Sequence, residues 1–188
     1  MRIPVLITVV LWLAGELVLR ARQRRHAEPV VTREWRTLGA IWGCAVAGGM
    51  LAGVLAAHLR AVDLPLHRTT WTVVGLVVAW CGIGLRWWSV ATLGRHFHPT
   101  VQIQQRHELV RSGPYRVLRH PAYSGLLLAL FGFSLPFANL AAIVVYNGFI
   151  VAAVLYRIRV EERVLLDGLG DRYAEYMRGT YRLVPGIW

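Results

Sequence analysis

Five apolar runs divide this chain, at residues 3–19, 38–59, 71–91, 122–137 and 140–156. A stretch of about 20 apolar residues is what a helix needs to cross a bilayer. In hydrocarbon, backbone polar groups must be paired internally, which leaves helices or closed barrels. The runs therefore predict an all-α integral membrane protein with about five transmembrane helices, a C-terminal helical hairpin and a cytosolic amphipathic tail. Composition agrees: the chain is 56% hydrophobic without counting glycine, above the ~45–50% of soluble domains even with glycine counted. Its 188 residues suit one transmembrane domain, residues 1–188.

All 21 basic residues are arginine, and the formal net charge is +11. Their placement is uneven: six fall in 20–37, five in 92–121 and six in 157–188. Positive charge marks cytoplasmic loops, so these three stretches are expected in the cytosol, with the N-terminus outside and the C-terminus inside. The arginines flank apolar runs and form no basic stripe with stacking aromatics, which argues against nucleic acid as a partner. The first run lacks a signal-peptide pattern and reads as a retained span. Arg86, inside the third run beside Trp87 and Trp88, is expected to snorkel toward the cytoplasmic face. Glu16 is expected either to pair with a nearby arginine or to reach the interface. Cys44 and Cys81 read as small core residues.

The last two runs are joined by Leu135-Pro136-Phe137-Ala138-Asn139, a tight connection. They are expected to be antiparallel neighbours, with Gly125 and Gly132 allowing close helix approach. Beyond Tyr156 the pattern turns amphipathic through Leu165, Leu166, Leu169, Tyr173, Tyr176 and Met177. Gly168 and Gly170 are expected to interrupt it. Such a segment suits the interface plane, covering the mouth of the hairpin.

Two polar clusters border this hairpin. Ionisable groups at a membrane segment are costly and read as functional by default. The first cluster is Arg119-His120-Pro121-Ala122-Tyr123. Pro121 suits the first helical position, which makes His120 the cap. The helix N-terminus, with Arg119 and the imidazole, offers donors to an anion. Before it, Ser112-Gly113-Pro114 reads as a turn. The second cluster is Arg157 with Glu161 and Glu162, where Arg157 and Glu161 share one helical face. Arg159 and Arg163 read as topology anchors. His96, His98 and His107 have no acidic or thiolate partner at ligand spacing, so no metal site is expected. No serine nucleophile elbow, phosphate loop or catalytic cysteine motif is present.

Taken together, His107-Glu108-Leu109-Val110, then Pro114-Tyr115, Arg119-His120-Pro121-x-Tyr123-x-Gly125, and finally Arg157-x-x-x-Glu161-Glu162 resemble the isoprenylcysteine carboxyl methyltransferase family, which is related to phospholipid methyltransferases. The resemblance covers residues 71–188 and leaves residues 1–70 as N-terminal scaffold spans. It is nearest the short, five-helix prokaryotic form, which would place the chain in a prokaryotic membrane with a cytoplasmic active site. It implies an S-adenosylmethionine-dependent methyl transfer, with S-adenosylhomocysteine as product, to a lipid-like or isoprenoid acceptor among membrane lipids. By the same resemblance, the cofactor would meet Gln102, His107, Glu108, Leu109, Val110, Tyr115, Arg119, His120, Pro121, Ala122, Tyr123, Glu161 and Glu162. Arg157 would serve the acceptor carboxylate. Two alternatives stand beside this reading: an NADPH-dependent membrane lipid reductase, which shares the His-Pro-x-Tyr stretch, and a non-catalytic membrane scaffold. Oligomeric state is open.

Overall fold

The computed structural model describes residues 2–24, 35–93 and 109–187. It is built from helices α1 (Arg2–Arg24), α2 (Trp35–His58), α3 (Arg68–Leu93), α4 (Pro121–Ser134), α5 (Leu140–Leu169) and α6 (Asp171–Arg178). Three helical segments, Gly39–His58, Arg68–Leu93 and Leu140–Leu169, are long and apolar enough to cross a membrane, and Ile3–Leu19 and Pro121–Phe137 are shorter apolar helices. Leu6, Leu17, Val46, Met50 and Val77 point outward, as lipid-facing side chains do in a bilayer.

Helix lengths differ sharply. The 14 residues of α4 rise about 21 Å. The 26 residues of α3 and 30 of α5 rise about 39 and 45 Å. The apolar run 140–156 therefore continues as unbroken helix past Arg157, Glu161 and Glu162. Gly168 stays helical; the break falls at Gly170 (φ +52°), the only one of the two expected breakers that leaves α-geometry.

Tight helix contact follows from small residues. A Cβ on Gly125 would meet the Arg86 backbone N at 2.6 Å and the Gly82 O at 2.7 Å. A Cβ on Gly132 would strike the backbone of Ala79 and Gly75. The glycines of α4 thus serve packing as expected, but the helix they seat is α3. Helix α5 packs on both α2 and α4: Ile41 and Ala45 of α2, and Leu126, Leu127 and Leu130 of α4, lie against the cluster that includes Ile150, Val154 and Ile158.

At the hairpin end, Asn139 caps α5 by accepting from Ala142 N at 3.0 Å. Its amide donates to Leu59 O and Asp63 Oδ1, each at 2.8 Å. That binds the end of α2 to the α4–α5 turn. The opposite end gathers the C-terminal halves of α1, α3 and α5 with the start of α4. Cys44 and Cys81 are free thiols, and Cys81 is exposed on α3 rather than in the core.

Candidate functional site

The start of α4 is set by sequence chemistry. Gly113 takes φ +56°, a conformation glycine adopts without strain. The turn Gly113–Arg116 that follows buries Pro114 and Tyr115. His120 is the residue before the helix and Pro121 its first residue, as expected. Several of the donors expected to await an anion are already engaged, however. His120 N donates to Arg182 O at 3.2 Å, and the N–H groups of Tyr123 and Ser124 both donate to His120 O at 3.0 Å.

The two clusters do meet, through α4 and α5 lying side by side. Arg157 is buried, and its Nε donates to the Tyr123 hydroxyl. That hydroxyl donates in turn to Glu161 Oε2 at 2.8 Å. The expected Arg157–Glu161 pairing along one helix face is thus bridged by a tyrosine from the neighbouring helix. Among the described residues Tyr123 is the one hydrogen-bond partner of Glu161, so a half-buried carboxylate oxygen is left over.

Glu162 faces another set. Its Oε1 accepts from Arg119 Nε at 3.2 Å and Arg182 Nε at 3.1 Å, and lies 3.2 Å from His120 Nε2. Arg182 Nη2 reaches Oε2 at 2.8 Å. Arg119 Nη1 also donates to Met177 O and Thr180 O, both at 2.7 Å. These are charge-assisted bonds in a shielded place, stronger than neutral ones. They hold the C-terminal tail across the start of α4. Ser124 Oγ adds a bond to Leu183 O at 2.6 Å, and Leu118 pairs with Tyr181 as an isolated bridge.

One face of the amphipathic tail packs on protein. Tyr173 and Tyr176 of α6 are buried. The Tyr176 hydroxyl donates to Tyr115 O at 2.6 Å. Burial raises the pKa of Tyr115 and of Tyr173, and pushes Tyr176 up to about 12. All three stay protonated at neutral pH.

Behind α4, Arg86 does not snorkel. It is buried, with Nε and Nη2 on the two oxygens of Glu16, the latter at 3.1 Å. Its Nη1 donates to Ala122 O at 3.2 Å. Of the two expectations for Glu16, pairing with an arginine is the one realised.

The structure thus brings together Tyr115, Arg119, His120, Pro121, Ala122, Tyr123, Arg157, Glu161 and Glu162. Leu109 and Val110 are half-buried at the start of the same loop. Gln102, His107 and Glu108 lie outside the described residues, as do His96 and His98. Sequence reasoning missed Arg182, whose side chain bonds Glu162 from 20 positions away, and Ser124, whose hydroxyl donates to the backbone carbonyls of His120 and Leu183, which carry no sequence signature.

A family model for the isoprenylcysteine carboxyl methyltransferase (ICMT) family matches residues 73–167. A probable protein-S-isoprenylcysteine O-methyltransferase of Oryza sativa subsp. indica is 33% identical over 135 residues, covering 69% of this chain and 71% of the relative. Protein-S-isoprenylcysteine O-methyltransferase B of Arabidopsis thaliana is 30% identical over 142 residues, covering 73% and 72%. Among solved structures, the eukaryotic intramembrane Ras methyltransferase ICMT superposes with a TM-score of 0.60 at 24% identity. That match covers 78% of this chain and 52% of the solved one, so this chain spans about half its length. These relatives are eukaryotic and do not support the expected prokaryotic form.

Proposed function

This chain belongs to the isoprenylcysteine carboxyl methyltransferase family of membrane methyltransferases, and on that premise we propose that it transfers the methyl group of S-adenosylmethionine to the carboxylate of a lipid-like or isoprenoid acceptor. The reading keeps five spans, with the N-terminus outside and the Arg157 end cytosolic, following the arginine distribution. The observation that carries it is the Arg157–Tyr123–Glu161 chain across α4 and α5. It sets a carboxylate and a guanidinium a few ångströms apart, with Arg157 buried. Family membership displaces the reductase and scaffold alternatives.

The residues present fit the cofactor. Glu161 offers a carboxylate oxygen with no partner among the described residues, suited to a ligand bearing hydroxyl and ammonium donors. Tyr115 and Tyr123 supply aromatic surface beside it. The cofactor, when bound, supplies an electrophilic methyl on a cationic sulfur. Arg157 presents a planar donor fork that matches a carboxylate, and Tyr123 fixes its direction. An acceptor carboxylate is ionised at neutral pH, so no general base is needed and none is assigned. The remaining task is alignment, which can contribute several kcal/mol on its own. Burial of Tyr115, His120 and Arg157 limits water at the site, and a transfer that joins a cation and an anion gains from a water-poor setting. Glu162, Arg119 and Arg182 hold the tail over the site and exclude water.

Titration calorimetry in detergent tests the reading: S-adenosylhomocysteine should bind with a stoichiometry of about one. Lipids supplied with isotope-labelled cofactor should gain one methyl by mass spectrometry. A chain that binds neither the cofactor nor its demethylated product would end the proposal.

A further inference from the structure

Helix α1 has a single carboxylate, Glu16, and it is buried against the site rather than at the surface. The Glu16 and Arg86 side chains are 9% and 10% exposed. The pair is bidentate, which leaves Arg86 Nη1 aimed in one direction, at the carbonyl of Ala122. Ala122 stands in the first turn of α4, between His120 and Tyr123. The same helix α1 touches the far end of α4, where Trp12 stacks on Phe133 at 5.7 Å between ring centroids. Gly125 seats α4 directly on the Arg86 backbone. Helix α1 therefore bears on α4 near both ends, directly through Trp12 and by way of Arg86 of α3 at the end that carries the site.

An ion pair is a poor choice for packing alone. Apolar residues of similar volume would fill the space at equal or lower cost, because burying two charges loses their hydration. An apolar pair could not, however, hold a carbonyl in place. We propose that Glu16 and Arg86 are positioning residues: Glu16 sets the rotation of the Arg86 guanidinium, and Arg86 fixes the first turn of α4 so that His120 faces Glu162 and Tyr123 faces Arg157 and Glu161. The proposal rests on the cofactor reading above and extends the site to α1.

The test uses the full chain in detergent with Glu16→Gln, Glu16→Asp and Arg86→Lys. Three quantities are read: S-adenosylhomocysteine affinity, KM against kcat for the methyl donor, and hydrogen exchange over residues 119–126. Glu16→Gln should weaken affinity and raise the donor KM by about tenfold, the worth of one charge-assisted bond. It should also speed exchange in the first turn of α4, with kcat little changed. Glu16→Asp should restore part of each. A purely structural pair predicts something else: a lower Tm, but affinity and exchange within about twofold of the parent well below that Tm. That result overturns the proposal. Should Glu16→Gln fail to fold, Arg86→Lys is read in the same way. A parent chain that binds no cofactor sinks the proposed function instead, and hydrogen exchange alone then decides whether the pair positions α4.

Discussion

Glu161 and Glu162 are neighbours in sequence, yet one helical step turns them to different tasks. Glu161 has Tyr123 alone among the described residues, whereas Glu162 holds Arg119, His120 and Arg182 together. Replacing each by alanine should therefore give opposite results. Glu162→Ala leaves buried cations unneutralised, a loss of about 3 kcal/mol or more, and thermal melts should fall by many degrees. Glu161→Ala should keep the melting temperature within a few degrees but abolish cofactor binding in calorimetry. Equal losses of stability in both variants would show that the division is wrong. Arg157→Ala should lower turnover of a carboxylate acceptor about 10- to 100-fold, the worth of a charged hydrogen bond, while cofactor affinity changes less. At this scale the sequence was a good guide to which residues gather. Its apolar runs made the buried Glu16 and Arg86 conspicuous, with Arg157 at the end of the last run. It could not assign their partners, because Glu16 and Arg86 are 70 positions apart and no local pattern links them.

Helix α4 owes its place to what it lacks. Gly125 and Gly132 leave no side chain between it and α3, and leucine at either position would force the two backbones apart. Gly125→Leu should destabilise the fold by about 1–3 kcal/mol or more, as overpacking does, read as a lower Tm in detergent. Unchanged Tm would mean that the helices do not pack this closely. Helix α6 is held by the Tyr176 hydroxyl, and this contribution depends on pH. Tyr176 is pushed up to about 12 in the fold from an ordinary 10.0. Its stabilisation is complete below pH 10 and drains away as pH climbs toward 12, where the unfolded chain gains by ionising first. Melting curves of the parent should steepen their decline above pH 10, and those of Tyr176→Phe should decline less. Pro121 and Asn139 announced the ends of α4 and α5 in the sequence. The tail was expected over the mouth of the hairpin, but the bonds that dock it were not legible, because Met177, Thr180 and Leu183 contribute carbonyls. A backbone acceptor looks the same beside any side chain.

The whole molecule sets a short helix between long ones. With the 3-10 turn Leu135–Phe137 that continues it, α4 rises about 27 Å, a little short of a hydrocarbon core near 30 Å. In a bilayer thicker than this helix, a polar cleft at its end is expected to lie below the headgroups, with the leaflet dipping over it. A mismatch of this kind costs fractions of a kcal/mol per ångström, enough to make bilayer composition a rheostat for the enzyme. In nanodiscs of increasing acyl length, a water-soluble donor should reach the cleft less easily and its KM should rise, while rates in detergent give a fixed baseline. The same dimple would draw the protein toward thin, fluid patches of its host membrane, so that where it settles is decided partly by fourteen residues.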